Sequence, residues 1–432
     1  MRWLALPVIA VALAALAYGL WPRSSPSISG GFGAATLAAA VEELERGSGA
    51  DADAPGVADG DAEQEPLSFP ADHGAHPDAL TELWDLTAFL RGADEQALAL
   101  RLTIARLRLA SDDGGRRAAV SGEAAQADAS TDTETVAPRR ASALAAGSVL
   151  AGSLVLSSNE TQRSARGERM SRAVLGLAGA EAGPDGQDRV WIEDWELARG
   201  DDGGLRLSAE AGGMQLNLSL SPGKPPVALD QAAVAGGADQ GPDAMRLYSQ
   251  SRLAVSGSLL TDGITHELHG SAWLDHAWGS LAGTLVGRQG QLIGNRFQLQ
   301  LDNGIELACL HLRRRAGGGT PIASCALINV DSELVPLARR EVSLTPVTAS
   351  GTSIGGTGYP LHWRLLIPGR GLELAIEPLL DDAPDGSLSA VIGSDQMWSG
   401  PVVVKGWRES DAIGGVGRMD LNGYGESGPS GT

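Results

Sequence analysis

The sequence predicts an all-β protein built from antiparallel barrels or sandwiches, and three observations carry the prediction. Runs such as Leu98 to Arg108, Leu205 to Ala211, Met214 to Leu220 and Arg296 to Leu301 alternate apolar and polar residues with period two, which places one face of each strand in a core. Gly- and Asp-rich turns separate the runs, and the 58 glycines of this 432-residue chain serve that pattern. Beyond the N-terminus no long amphipathic helix is evident; Ala35 to Arg46 is only a weak candidate.

The chain starts with an apolar run. Trp3 to Trp21 gives 19 nearly uninterrupted apolar positions behind Met1 and Arg2, enough to cross a hydrocarbon core as a helix. It also reads as a signal peptide if Ala15-Leu16-Ala17 is a cleavage site. The length of the run, its continuation past that site and an interfacial aromatic at Trp21 favour an anchor over residues 1–23. Either reading exports the remainder, to the periplasmic side of the inner membrane or into the periplasm. Residues 24–65 form an acidic tether: between Val41 and Glu65 there are nine acidic residues and one basic one, too little apolar surface to order the segment.

Strand patterning then fills two units, 66–243 and 244–428, each large enough for a barrel with an internal cavity. The turn-rich stretch Gln231 to Asp243 sets the break between them, and residues from about 111 to 140, nearly devoid of large apolar side chains, read as a disordered insertion in the first unit. In the second unit the segments around Cys309 and Cys325 read as a hairpin centred near Gly317, which sets the two cysteines opposite each other. In an oxidising compartment they are positioned for a cross-strand disulfide; a one-residue bulge would instead leave two buried thiols. A net charge of −20 argues against nucleic acid or anionic membrane as an electrostatic partner, so a neutral or apolar ligand is expected.

The densest chemical signal is Trp273-Leu-Asp-His-Ala-Trp-Gly279, in a chain with only 4% aromatic residues. As a strand it projects Trp273 and Asp275 to one face and Leu274, His276 and Trp278 to the other. Inside an apolar cavity, burial would favour the neutral acid form of Asp275, able to donate a proton, and an indole face would stabilise a nearby cation. The structural alternative is an Asp275 carboxylate paired with an arginine, Arg169 or Arg172 being candidates, in which case it has no proton to give.

Eight segments in order resemble the family of AttH-type proteins and carotenoid 1,2-hydratases, also called hydroxyneurosporene synthases. They are Phe69 to Asp78, Glu82 to Thr87, Glu168 to Arg172 with Gly176 to Gly179, Val190 to Trp195, Leu247 to Leu253, Trp273 to Gly279, Phe297 to Gly304, and Gly417 to Tyr424. The resemblance implies two lipocalin-like β-barrel domains, an apolar lipid or isoprenoid ligand, and an association with ABC-type export systems, with a transporter permease as a partner. It also implies, for the hydratase branch, Asp275 as general acid adding water to an isoprenoid double bond. Trp273 and Tyr248 would then form a cation-tolerant wall, with His276 orienting water, and Trp84, Trp278 and Phe297 would contact ligand. The chain departs from the hydratases at Ala277, where they carry glutamate, at Asp85, where they carry tyrosine, and at Arg246, where they carry histidine.

Other candidates are weaker. His73 and His76, flanked by Asp72 and Asp78, lie in a Pro- and Gly-containing loop and are expected to hydrogen-bond rather than hold a metal. His266 and His269 fall on opposite faces of a strand. Trp191, Trp195, Trp363, Trp398 and Trp407 read as packing residues. No nucleotide loop, zincin helix or nucleophile elbow occurs, and no cofactor is expected.

Overall fold

The computed structural model describes residues 66–93, 95–109, 147–161, 163–183, 187–229, 246–279, 292–314, 322–347, 359–380 and 397–422. The N-terminal anchor or signal segment, the acidic tether, the insertion at about 111–140 and the gap Gln231 to Asp243 lie outside these residues. The described chain is all-β, with no α-helix and two sheets.

The first sheet has twelve strands: β1 (Thr81–Arg91), β2 (Ala97–Arg108), β3 (Ser148–Ser158), β4 (Arg163–Arg172), β5 (Ala178–Glu181), β6 (Arg189–Ile192), β7 (Trp195–Arg199), β8 (Leu205–Ala211), β9 (Met214–Pro222), β10 (Val227–Ala228), β11 (Arg246–Thr261) and β12 (Ile264–Gly279). The second has nine: β13 (Leu292–Leu301), β14 (Glu306–Arg314), β15 (Ile322–Ile328), β16 (Leu334–Leu337), β17 (Ser343–Pro346), β18 (Trp363–Ile367), β19 (Leu372–Pro378), β20 (Met397–Arg408) and β21 (Asp411–Asn422).

Turn chemistry sets the register. Asp262 and Gly263 join β11 to β12 with φ of 51° and 76°, and Gly212 and Gly213 join β8 to β9 with φ of 58° and 80°. Positive φ at both central residues gives the twist that two-residue hairpins need, which Asp-Gly and Gly-Gly accommodate.

The first sheet runs β4-β3-β2-β1-β12-β11-β9-β8-β7-β6-β5 and curls into a nearly closed barrel. Without a ladder, the edge strand β4 packs against β7 and β8: a Cβ on Gly167 of β4 would lie 2.8 Å from Ala211 Cβ and 3.0 Å from the Trp195 ring. The lumen is packed rather than hollow. Leu86, Leu90, Leu100, Leu102, Ile104, Leu150, Ile192 and Trp195 are all buried within it, and each such aliphatic side chain contributes on the order of 2 kcal/mol. The second sheet, β16-β15-β14-β13-β21-β20-β19-β18-β17, is a half-barrel around Phe297, Trp363, Leu365, Leu374 and Met419.

The two sheets pack back to back. Odd-numbered residues of β1 and β12 leave the barrel lumen and meet the even-numbered residues of β13 and β21. Part of this seam is apolar, with Trp273 against Val227, Leu229, Ala308, Ala326 and Ile328. Most of it is ionic. Asp85 accepts from Arg101 at 3.2 Å and from Arg418 at 2.5 Å, and Arg418 also holds Asp420 at 2.9 and 2.6 Å. Burial pushes Asp85 and Asp420 up, but the arginines outweigh it and hold both below the ordinary carboxylate range. Lys224 bridges to Glu306 at 2.7 Å, and Arg252 joins the same carboxylate.

Two sequence expectations are corrected. The break between sheets falls between Gly279 and Leu292, not at 243/244, because β11 and β12 complete the first sheet. The turn-rich gap connects β10 to β11, two paired strands, and polar composition alone made it resemble a linker. Trp407 is 55% exposed, although Trp195, Trp363 and Trp398 are core as expected.

The hairpin prediction holds: β14 and β15 pair with Cys309 opposite Cys325, and the two form a disulfide.

Candidate functional site at the barrel mouth

Face alternation in β12 divides the Trp273 to Gly279 run as predicted, but the two faces do different work. Asp275 is 2% exposed and sits in the seam, not in a cavity. Its Oδ1 accepts from Trp273 Nε1 at 2.8 Å and from Ser249, and its Oδ2 accepts from Gln298 Nε2 at 2.7 Å and pairs with Arg296. Four donors on one carboxylate fix it as an acceptor. The expected general acid is therefore a structural anion, and the arginine that holds it is Arg296 of the half-barrel. Arg169 pairs instead with Asp194 at 3.1 Å. Trp273 donates to Asp275 and is separated from Tyr248, whose ring lies on the lumen face with His276. Phe297 packs edge-on to Trp363 at 5.0 Å in the half-barrel core and cannot line a site in the first barrel.

The lumen face of the same run points to the barrel mouth. There Tyr248 of β11, His276 and Trp278 of β12 and Trp84 of β1 converge, as the strand register dictates: Tyr248 and Trp84 both pair across to His276. Trp84 stacks on His276 at 4.9 Å, and His76 stacks on Trp278 at 3.7 Å with an interplanar angle of 6°. A strap through residues 69–79 closes over them. Its single 3-10 turn, Ala71–His73, brings His73 Nδ1 to 2.8 Å from the Tyr248 hydroxyl, and Phe69 meets the Tyr248 ring edge-on at 5.0 Å.

Glu82, fully buried on β1, pins the strap. Its Oε1 accepts from the His76 backbone N–H at 2.8 Å and lies 3.0 Å from both His76 Nδ1 and His276 Nε2. Its Oε2 accepts from Arg106 Nε at 2.9 Å, and Arg106 also donates to the His76 carbonyl at 2.5 Å. Burial raises the Glu82 pKa, but hydrogen bonds from His276 and His76, with the Arg106 charge, outweigh it and bring the value to about 2.

Burial governs the other groups. It lowers His73 to about 3, aided by Arg199 and His276, so the neutral imidazole is favoured, with Nδ1 hydrogen-bonded to the Tyr248 hydroxyl. It lowers His276 against the pull of Glu82 and raises Tyr248 above its ordinary value.

Two cavities meet at His73. The inner one, about 20 Å³, has room for roughly one water; Tyr248, Trp84 and Leu274 wall it, with Asp188 and Arg199 at its polar side. Asp188 Oδ2 and Arg199 Nε lie 3.6 Å apart, and neither has a hydrogen-bond partner. Burial raises the Asp188 pKa, with Arg199 opposing. The outer one is an open cleft of about 530 Å³ beside Phe69, Pro70, Pro222, Pro225 and Pro226, with Arg199 and Gln250 at its base. Arg199 bonds Gln250 Oε1 at 3.0 Å and so links the two spaces.

Residues 61–424 match the AttH-like family. The chain belongs to the AttH-like family. No curated protein matches it. Among solved structures, an AttH from Nitrosomonas europaea is 24% identical with a TM-score of 0.62, covering 84% of this chain and 98% of that one. Kievitone hydratase from Nectria haematococca is 13% identical with a TM-score of 0.54, covering 84% and 95%. At these identities both show a common fold, the lipocalin-like AttH architecture seen here.

In this AttH-like chain the structure gathers Tyr248, His276, Trp84 and Trp278, and places Trp273, Asp275 and Phe297 elsewhere. Sequence reasoning missed Glu82, Arg106, Asp188 and Arg199. A signal for Glu82 existed, since it stands two residues before Trp84 and so shares its strand face; Asp188 and Arg199 reach the mouth only through the β6–β7 hairpin.

Proposed function

We propose that the chain is an exported, lipocalin-like binding protein for an apolar lipid or isoprenoid, working beside an ABC-type export system at the periplasmic face of the inner membrane. The outer cleft carries the reading. At about 530 Å³ it falls in the size range of small-ligand sites, with Phe69 and four prolines along its walls beside the polar groups of His73, Arg199, Asp201, Lys224 and Gln250. The filled lumen leaves no room for a long chain inside the barrel, so a ligand would lie along the mouth with one end toward His73. Export is supported by the Cys309–Cys325 disulfide, a bond suited to oxidising compartments, and by the N-terminal apolar run.

Native mass spectrometry of gently purified protein, with lipid extraction, tests the reading. A one-to-one apolar adduct is expected; repeated recovery of ligand-free protein that also takes up no fluorescent polyene fatty acid would exclude it.

A second reading is favoured by the inner cavity. It has space for about one water against the unsatisfied Asp188 and Arg199 atoms, next to a Tyr248–His73 pair. Kievitone hydratase, one of the structural relatives, is a hydratase. Addition of that water to an alkene reaching from the cleft into the inner cavity would need a proton donor, and Asp188, which lines that cavity and has a raised pKa, would give its proton to one alkene carbon and take one back from the water as it bonds to the other. Water-dependent turnover of an acyclic isoprenoid, lost in Asp188→Asn and kept in Asp275→Asn, is the expected result; no turnover in wild type removes this reading.

A further inference from the structure

We infer that His76, Glu82 and His276 form a binding site for one divalent transition-metal ion of the zinc class at the barrel mouth. One nitrogen from each histidine and one oxygen from Glu82 lie within 4.8 Å of one another. The two His–Glu separations, both 3.0 Å, are close to the roughly 3.3 Å between ligand atoms of a tetrahedral zinc site with bonds of about 2.0–2.1 Å. Small outward shifts of the two rings would admit an ion between the three atoms.

The surroundings resemble those of built metal sites. His76 presents Nδ1 to the cluster while its Nε2 lies 3.3 Å from Asp72 Oδ1, the carboxylate–histidine arrangement that orients a ligand ring. Trp278 fixes the plane of His76 by stacking, and Trp84 does the same for His276. Arg106 occupies Glu82 Oε2, so ligation would fall to Oε1, which also accepts the His76 backbone N–H and keeps a lone pair for a monodentate bond.

Metal class follows from the donors. Arg106 offsets the Glu82 charge, so a hard cation that relies on several carboxylates gains little here, whereas two imidazoles suit zinc, cobalt or nickel. Three protein ligands leave one position for water or another ligand. His276 is fully buried but the His76 side chain is 20% exposed, so an ion reaches the cluster from the His76 side. Ligation needs His76 Nδ1 and His276 Nε2 free of protons, so each neutral ring would carry its N–H on the other nitrogen, which faces Asp72 in His76 and has no protein partner in His276.

The test uses the full chain without a histidine tag, dialysed against micromolar zinc and analysed by elemental mass spectrometry, with cobalt absorption as a second readout. One zinc per chain and the visible bands of tetrahedral cobalt are expected. Affinity should fall at least 10-fold in His76→Ala and in His276→Ala, and stay unchanged in His266→Ala, which removes an exposed histidine on the same strand. If His276→Ala fails to fold, His76→Ala in the surface strap decides. No retained zinc in wild type, or equal retention in His76→Ala, overturns the proposal.

Discussion

Arg296, on the half-barrel, pairs with Asp275, on the barrel, and so ties the two sheets together through the chain's most conspicuous sequence motif. Gln298, two residues further along β13, donates to the other side of the same anion's Oδ2. The pair belongs to a seam in which Asp85, Asp275 and Asp420 face Arg101, Arg296 and Arg418, three charges of each sign. Removing one partner of such a buried pair leaves an uncompensated charge. Because Arg296 is itself 33% exposed, Arg296→Met is expected to destabilise the protein by about 1.5–3 kcal/mol, less than for a fully buried pair, and adding Asp275→Asn to recover a large part of the loss. Urea denaturation of the two single variants and the double variant checks this; an additive double variant would contradict it.

The disulfide makes a separate contribution. Cys309 and Cys325 are 16 positions apart, and closing a loop of that length stabilises by roughly 3 kcal/mol. Thermal denaturation with and without reductant should show a lower midpoint on reduction. An unchanged midpoint, with both thiols alkylated, would contradict the pairing.

Stability should also depend on pH in a defined direction. His73 has a folded pKa lowered to about 3 against an ordinary value near 6.5, so folding favours its neutral form. Its contribution is fully present above the ordinary value and is lost as pH falls from about 6.5 toward 3. Partial exposure of the ring moderates the size of the effect. Asp85 and Asp420, both lowered, keep their contributions until pH drops below the ordinary aspartate range. Urea midpoints measured between pH 7 and 5 should therefore decline in wild type and decline less in His73→Gln. Parallel curves would show that His73 is not the group responsible.

Barrel closure rests on a glycine. A side chain on Gly167 would press on Ala211 and on the Trp195 ring, both inside contact distance. Gly167→Val is expected to cost about 1–3 kcal/mol by overpacking, read as a lower denaturant midpoint, whereas Gly203→Ala meets no neighbouring atom and is strained only by its positive φ.

Much of this was legible in the sequence for reasons that the structure makes plain. Strands such as β8, Leu205–Ala211, bury one face and leave the other to water, so their alternation is visible residue by residue. The cysteine register followed from a hairpin centre. What was hidden lies where a strand is buried on both faces. In β1 and β12 the second face is polar because it meets another sheet through ion pairs, and a polar residue at a buried position reads from sequence as chemistry. Asp275 is the case in point. The sheet boundary was hidden for a related reason: nothing in β11 or β12 says which of two neighbouring sheets they join. Asp188 and Arg199 approach the mouth only once the barrel has closed, so no local spacing announces them.

The most direct test of the account is a titration of a fluorescent polyene fatty acid against wild type, Phe69→Ala, Pro226→Arg and Asp275→Asn. The mouth variants alter the cleft walls, while Asp275→Asn alters only the seam. One-to-one binding by wild type, weakened at least 5-fold in Phe69→Ala and Pro226→Arg and retained in folded Asp275→Asn, is the predicted result. Loss of binding in Asp275→Asn with both mouth variants unaffected would place the ligand on the other face of β12 and contradict it.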